Sequence, residues 1–138
     1  MDFLKYTKIF GSLLILIVAL DVLWIGFIAQ SMYQTQIGHL LNKVADKVQF
    51  NMLAGLLVWV LLVLGNLVFV LPQAKSLSMG MQFGLGALFG LVVYGVYDFT
   101  NYATLVNWPL FVTIIDVIWG MILNGVIAVA SVYVSRLF

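Results

Sequence analysis

The chain alternates between long apolar runs and short polar connectors. Four runs stand out, at residues 10–29, 50–71, 80–99 and 110–134. An α-helix rises 1.5 Å per residue, so each run is long enough to cross about 30 Å of hydrocarbon. The connectors carry the marks of helix ends. Pro72 predicts a stop for the second helix, and Asn107-Trp108-Pro109 predicts a cap with proline in the first turn of the fourth. Tyr102, Trp108 and Tyr133 stand where aromatic side chains anchor spans at the interface. The first run follows Lys5 and Lys8, as a signal peptide would. Its length, Asp21 and the lack of a small-residue cleavage site make it a retained span instead.

The first connector, residues 30–49, has a pattern of its own. Ile37, Leu40, Leu41, Val44 and Val48 recur at helical spacing, with His39, Asn42, Lys43, Asp46 and Lys47 between them. That predicts a short amphipathic helix lying on the membrane surface. The expected fold is therefore all-α: a single domain over residues 1–138, a bundle of four transmembrane helices with an amphipathic interfacial segment in its first loop.

Composition agrees. Of the 138 residues, 64% are apolar and 8% charged, and the mean hydropathy is +1.17. A soluble domain has about 45–50% apolar and about 25% charged residues, so soluble enzymes, disordered chains and disulfide scaffolds are excluded. Six basic against five acidic residues form no basic patch, which argues against nucleic acid as a partner. There is no cysteine. The chain shows no zinc-ligand set, nucleophile–base pair, phosphate loop or dinucleotide fingerprint, so neither metal nor cofactor is expected. The lone His39 reads as a solvated loop residue. With the N-terminus in the cytoplasm, Lys5, Lys8, Lys75 and Arg136 are cytoplasmic and Lys43 and Lys47 are outside. Basic residues favour the cytoplasmic side, so both termini are expected there.

The chemistry lies in the acids. Asp21, Asp98 and Asp116 fall in the apolar runs, and no Lys or Arg lies in any of the four. A carboxylate at mid-membrane costs about 2.5–3.5 kcal/mol on insertion scales. Either the acids are protonated or a cation that is not a side chain visits them. Under this topology all three lie in the outer half of the bundle. Asp21-Val22-Leu23-Trp24 is echoed by Asp116-Val117-Ile118-Trp119 in a helix running the other way, as an inverted repeat would leave it. In each, Trp follows Asp by three positions, on nearly the same face. Thr113, Asp116, Gly120, Asn124 and Ser131 form a polar stripe on the fourth span, and Asn51, Gly55 and Asn66 a sparser one on the second. Gly80, Gly84, Gly86 and Gly90 give the third span two GxxxG segments, which read as helix-packing faces or a homodimer surface. After it, Tyr97 to Thr104 mixes polar and apolar residues without charge, which predicts a segment leaving helical form at the interface.

The elements Asp21-x-x-Trp24, Tyr33 with Gly38-His39-Leu40, Tyr97-Asp98-x-Thr100-Asn101-x-Ala103-Thr104, Trp108-Pro109 and Asp116-x-x-Trp119-Gly120 occur in that order. Together they resemble an uncharacterised family of small four-span bacterial inner-membrane proteins, catalogued as a domain of unknown function. The resemblance covers nearly the whole chain and implies a four-helix protein of the bacterial inner membrane. It implies no activity.

Three functions compete. In the first, the protein binds or transports a proton, a cation or a small cationic or amphipathic solute. The candidate binding residues are Asp21, Trp24, Tyr97, Asp98, Thr100, Asn101, Thr104, Asp116, Trp119 and Asn124, with Tyr94 as a further aromatic wall. In the second, it is a membrane-embedded enzyme using carboxyl acid–base chemistry on a lipid-type substrate. In the third, it is a structural or accessory subunit whose polar groups tie helices together, at only about 0.6 kcal/mol per interhelical hydrogen bond.

Overall fold

The computed structural model describes residues 3–45 and 47–138. Helix α1 (Phe3–Leu23) runs into a π-helical turn (Trp24–Ile28), and α2 (Gln30–Ile37) follows it. Two two-residue strands, β1 (Lys43–Val44) and β2 (Lys47–Val48), pair antiparallel. Next come α3 (Met52–Gly65), a second π-helical segment (Asn66–Val70) and α4 (Leu71–Ala74), which together form one span. The chain closes with α5 (Met79–Thr104) and α6 (Leu110–Leu137). Four helical stretches are long and apolar enough to cross a membrane: Phe3–Ile28, Met52–Ala74, Met79–Thr104 and Leu110–Leu137. The protein is an all-α polytopic bundle.

Helix α6 is the hub, packing against α1, α4, α5 and the second π segment. Its buried face is correspondingly broad, from Val112 to Ser135. Helix α1 buries a narrow stripe, Ile9, Leu13, Ile17 and Asp21, each four residues from the last. The first three join Trp59, Leu62, Val63, Leu123 and Ile127 in the main core, while Asp21 continues the stripe into the polar site. Val70, Leu71, Ala74, Ala128 and Val132 form a second core. The exposed Ile15, Phe27, Leu53, Leu61, Phe69 and Val96 face outward, as apolar side chains do toward lipid. Lys8 Nζ lies 5.1 Å from the centre of the Phe138 ring, so both chain ends emerge at one end of the bundle.

Three local expectations are corrected. Pro72 does not stop the second helix, which continues to Ala74. The π turn just before it sends the Leu71 N–H to the Asn66 carbonyl, so the missing proline donor is absorbed by a shift of register. The segment from Tyr97 to Thr104 does not leave helical form but completes α5. Its polar side chains are accommodated within the helix; Thr104 Oγ1, for example, donates to the Thr100 carbonyl one turn back at 2.7 Å. The loop helix is also shorter than its apolar spacing suggests. It ends at Ile37, where Gly38 lowers helix propensity, and Val44 and Val48 enter the hairpin. Ala45 adopts φ 50°, the left-handed turn that a two-residue hairpin loop requires. Asp46, assigned to the polar face of that helix, lies outside the described residues.

The third-span glycines divide into two pairs. A methyl on Gly90 would run into the Gly120 carbonyl, and one on Gly86 into the Asn124 carbonyl, so this pair sets the close approach of α5 and α6. Gly80 and Gly84 meet nothing and face outward. Accordingly, Gly90→Ala should destabilise the protein by about 1–3 kcal/mol through overpacking. Gly84→Ala should be neutral, or stabilising by up to about 1 kcal/mol through helix propensity. Thermal melts in detergent distinguish the two; equal effects would contradict this packing.

Candidate functional site

At the end of the bundle opposite the chain termini, each element contributes a residue six or seven positions from its own span end. Asp21 precedes Ile28, Trp59 follows Met52, Asp98 precedes Thr104, and Asp116 follows Leu110. At 1.5 Å per residue, all four lie about 10 Å inside that end. The longer α5 moves Asp98 inward from the surface position that a span ending at residue 99 implied.

Asp21 is 6% exposed and fully engaged. Its Oδ2 accepts from Trp59 Nε1 at 2.8 Å and its Oδ1 from Trp119 Nε1 at 2.9 Å. One carboxyl thus ties α1 to both α3 and α6. The Trp119 indole stacks on Trp24, with ring centroids 4.5 Å apart and planes 4° from parallel. Trp24 Nε1 donates to the Tyr33 hydroxyl at 3.2 Å, and that hydroxyl donates in turn to Asp116 Oδ1. Tyr33 sits on α2, outside the spans, and reaches back over the bundle end. Burial, and then the nearby Asp116 carboxylate, hold its phenol well above the usual tyrosine range. It is therefore a fixed donor at physiological pH.

Asp98 differs from Asp21. It is completely buried, and no donor of the described residues reaches either of its oxygens. Its neighbour is another acid, the Asp116 carboxyl on α6. Two carboxyl groups form a hydrogen bond only when one of them carries a proton. Tyr94 stands on the same helix as Asp98, one turn away.

The residues singled out in the sequence thus separate. Asp21, Trp24, Asp98, Asp116 and Trp119 come together. Tyr97 is exposed and meets Trp108 edge-on at 6.4 Å, while Thr100 and Thr104 are exposed and Asn101 is half-buried. Asn124 is fully buried but lies two helical turns from Asp116, where its Oδ1 accepts from Asn66 Nδ2 at 2.8 Å. Sequence reasoning missed Trp59, which belongs to no motif. Its signal was its position: an indole N–H seven residues inside a span must find an acceptor there, and acids at matching depth supply one. Tyr33 entered only through the family resemblance, because nothing local shows that a loop tyrosine returns to the bundle.

Fold and site together define a small four-span integral membrane protein with a buried carboxyl–indole cluster at one end. The family described as "Predicted membrane protein (DUF2177)" matches residues 6–133, nearly the whole chain, and the protein belongs to it. No curated protein and no solved structure matches the chain.

The two kinds of carboxyl environment should respond oppositely to substitution. Asp21→Leu strands two indole N–H groups and should lower stability by about 1–3 kcal/mol. Asp98→Leu strands no indole or phenol donor and separates two buried acids, so it should leave the melting temperature unchanged or raise it. Melting curves of the two variants in detergent check this; a large loss in Asp98→Leu would show that Asp98 is a structural tie.

Proposed function

We propose that the protein is an ion-binding membrane protein of the carrier kind, with the Asp98–Asp116 pair as its working site. The pair carries one proton and exchanges it for a small cation. The supporting observation is Asp98: a fully buried carboxyl with no donor for either oxygen and a second carboxyl as its neighbour. Protonated once, the pair has a net charge of −1 and an internal hydrogen bond. Deprotonated, it has two negative charges and attracts a cation. Asp21 is the fixed strut of the site, and Tyr33 is its cover on the loop side.

The protein sits in a bacterial inner membrane with both termini in the cytoplasm. The basic residues support that orientation, with Lys5, Lys8, Lys75 and Arg136 on one side and Lys43 and Lys47 on the other. The carboxyl pair then opens toward the outside, beneath α2. Because the chain has no cysteine, single introduced cysteines report topology directly. An impermeant thiol reagent applied to intact cells should label Thr35→Cys and spare Ser76→Cys; the reverse pattern would invert the orientation.

The exchange itself is tested in proteoliposomes containing a pH-sensitive dye and an outward proton gradient. Adding sodium, potassium or small organic cations outside should accelerate collapse of the gradient for one of them, through the parent protein only. Asp98→Asn and Asp116→Asn should each reduce that rate by about tenfold or more, as loss of a charged partner of a buried ion does. Rates equal to protein-free vesicles for every cation would refute exchange.

A further inference from the structure

The end of the bundle that holds the chain termini carries a feature with no part in the carboxyl cluster. A surface groove of about 550 Å³, almost wholly apolar, runs between the start of α5 and the last turns of α6. Met79, Gly80 and Phe83 line it from α5, and Val126, Ala130 and Tyr133 from α6. Its form follows from two glycines. A methyl on Gly125 would run into the Phe83 ring, so that ring lies down on α6. A methyl on Gly80 would meet nothing, so the groove stays open just under one turn earlier. From Leu137, where the span ends, to Val126 the groove reaches about 16 Å inward at 1.5 Å per residue. That is the hydrocarbon depth of one leaflet, half of about 30 Å. The mouth is basic. Arg136 follows Tyr133 by three residues on α6, and Lys75 stands in the turn leading into α5; both are exposed.

We infer that this groove holds one acyl chain of an anionic phospholipid from the leaflet on the side of the chain termini, with Arg136 and Lys75 on its phosphate. A recess touches an acyl chain on more than one side, so it gathers more dispersion contacts than a flat helix face offers to bulk lipid. Long basic side chains at a span end reach from apolar surface to the level of the headgroups, where their charge favours an acidic lipid over a neutral one. The charge also decides against a second copy of this chain as the occupant. A two-fold interface sets a surface patch against itself, so Arg136 and Lys75 would face their own copies at the edge of a low-dielectric medium. Under this assignment the outward-facing Gly80 serves a lipid rather than a dimer. The groove lies at the opposite end of the bundle from the carboxyl pair, so it stands or falls separately from ion exchange there.

The test is native mass spectrometry of the delipidated protein in a neutral detergent, with phosphatidylglycerol and phosphatidylcholine of identical acyl chains offered in equal amounts. The parent should carry one lipid per protomer and prefer phosphatidylglycerol by about tenfold, the scale that two basic residues supply. Replacing both bases (Lys75→Gln with Arg136→Gln) should cut that preference to about twofold or less. Gly80→Leu fills the groove and keeps both charges, so it should lower occupancy by both lipids. Lys43→Gln, in the hairpin at the other end, should leave preference and occupancy as in the parent. Equal binding of the two lipids would overturn the proposal, as would a preference that survives loss of both bases or an occupancy unchanged in Gly80→Leu. A preference lost equally in Lys43→Gln would reduce it to the general charge of the protein and would also overturn it. A species of twice the protomer mass that Gly80→Leu dissociates would give the groove to a second copy instead.

Discussion

A carboxyl group inside hydrocarbon has no water to bond with, so its partners must come from the protein. Each of the three acids here would cost about 2.5–3.5 kcal/mol at mid-membrane, and together they rival the whole folding stability of an ordinary domain. The arrangement at this end of the bundle follows from that constraint. Asp21 recruits indoles from two other helices, one for each oxygen. Asp116 recruits a phenol from outside the span. Asp98 recruits only another acid. The first two solutions hold helices together; the third ties Asp98 to no donor of the described residues.

The indoles do more than satisfy Asp21. Trp119 binds it from α6 while stacking on Trp24 of the neighbouring π turn, and Trp24 passes its own N–H to Tyr33. A chain of contacts thus runs from the α1 strut through two stacked rings to the phenol and on to Asp116. Displacing α2 would remove the Tyr33 donor from Asp116 without touching the Asp21 tie. Access to the pair and integrity of the bundle are therefore separable.

Much of this was legible in the residues. The four spans follow from run length, and the placing of the acids in one half of the bundle follows from their distance to the span ends; only the extra length of α5 brings Asp98 to the depth of the other two. The two Asp-x-x-Trp segments pointed to carboxyl–indole chemistry, but their pairing is crosswise: the second segment's Trp119 serves the first segment's Asp21. Spacing within a helix fixes which side chains share a face, not which helix that face meets. Trp59 and Tyr33 were hidden for the same reason. Pro72 and the segment ending α5 misled because their local rules assume that water competes for the backbone. Inside a bundle, a π turn or an intact helix is the cheaper way to keep backbone groups paired.

In the proposed exchange, Asp98 and Asp116 share one proton in the folded protein. Infrared spectroscopy in the carbonyl-stretch region sees that proton directly, because a protonated carboxyl absorbs apart from a carboxylate. At neutral pH the parent protein should show a single protonated carboxyl that persists in Asp21→Asn and disappears in Asp98→Asn. A spectrum with only ionised carboxylates at neutral pH, in a protein that still melts cooperatively, would contradict the account.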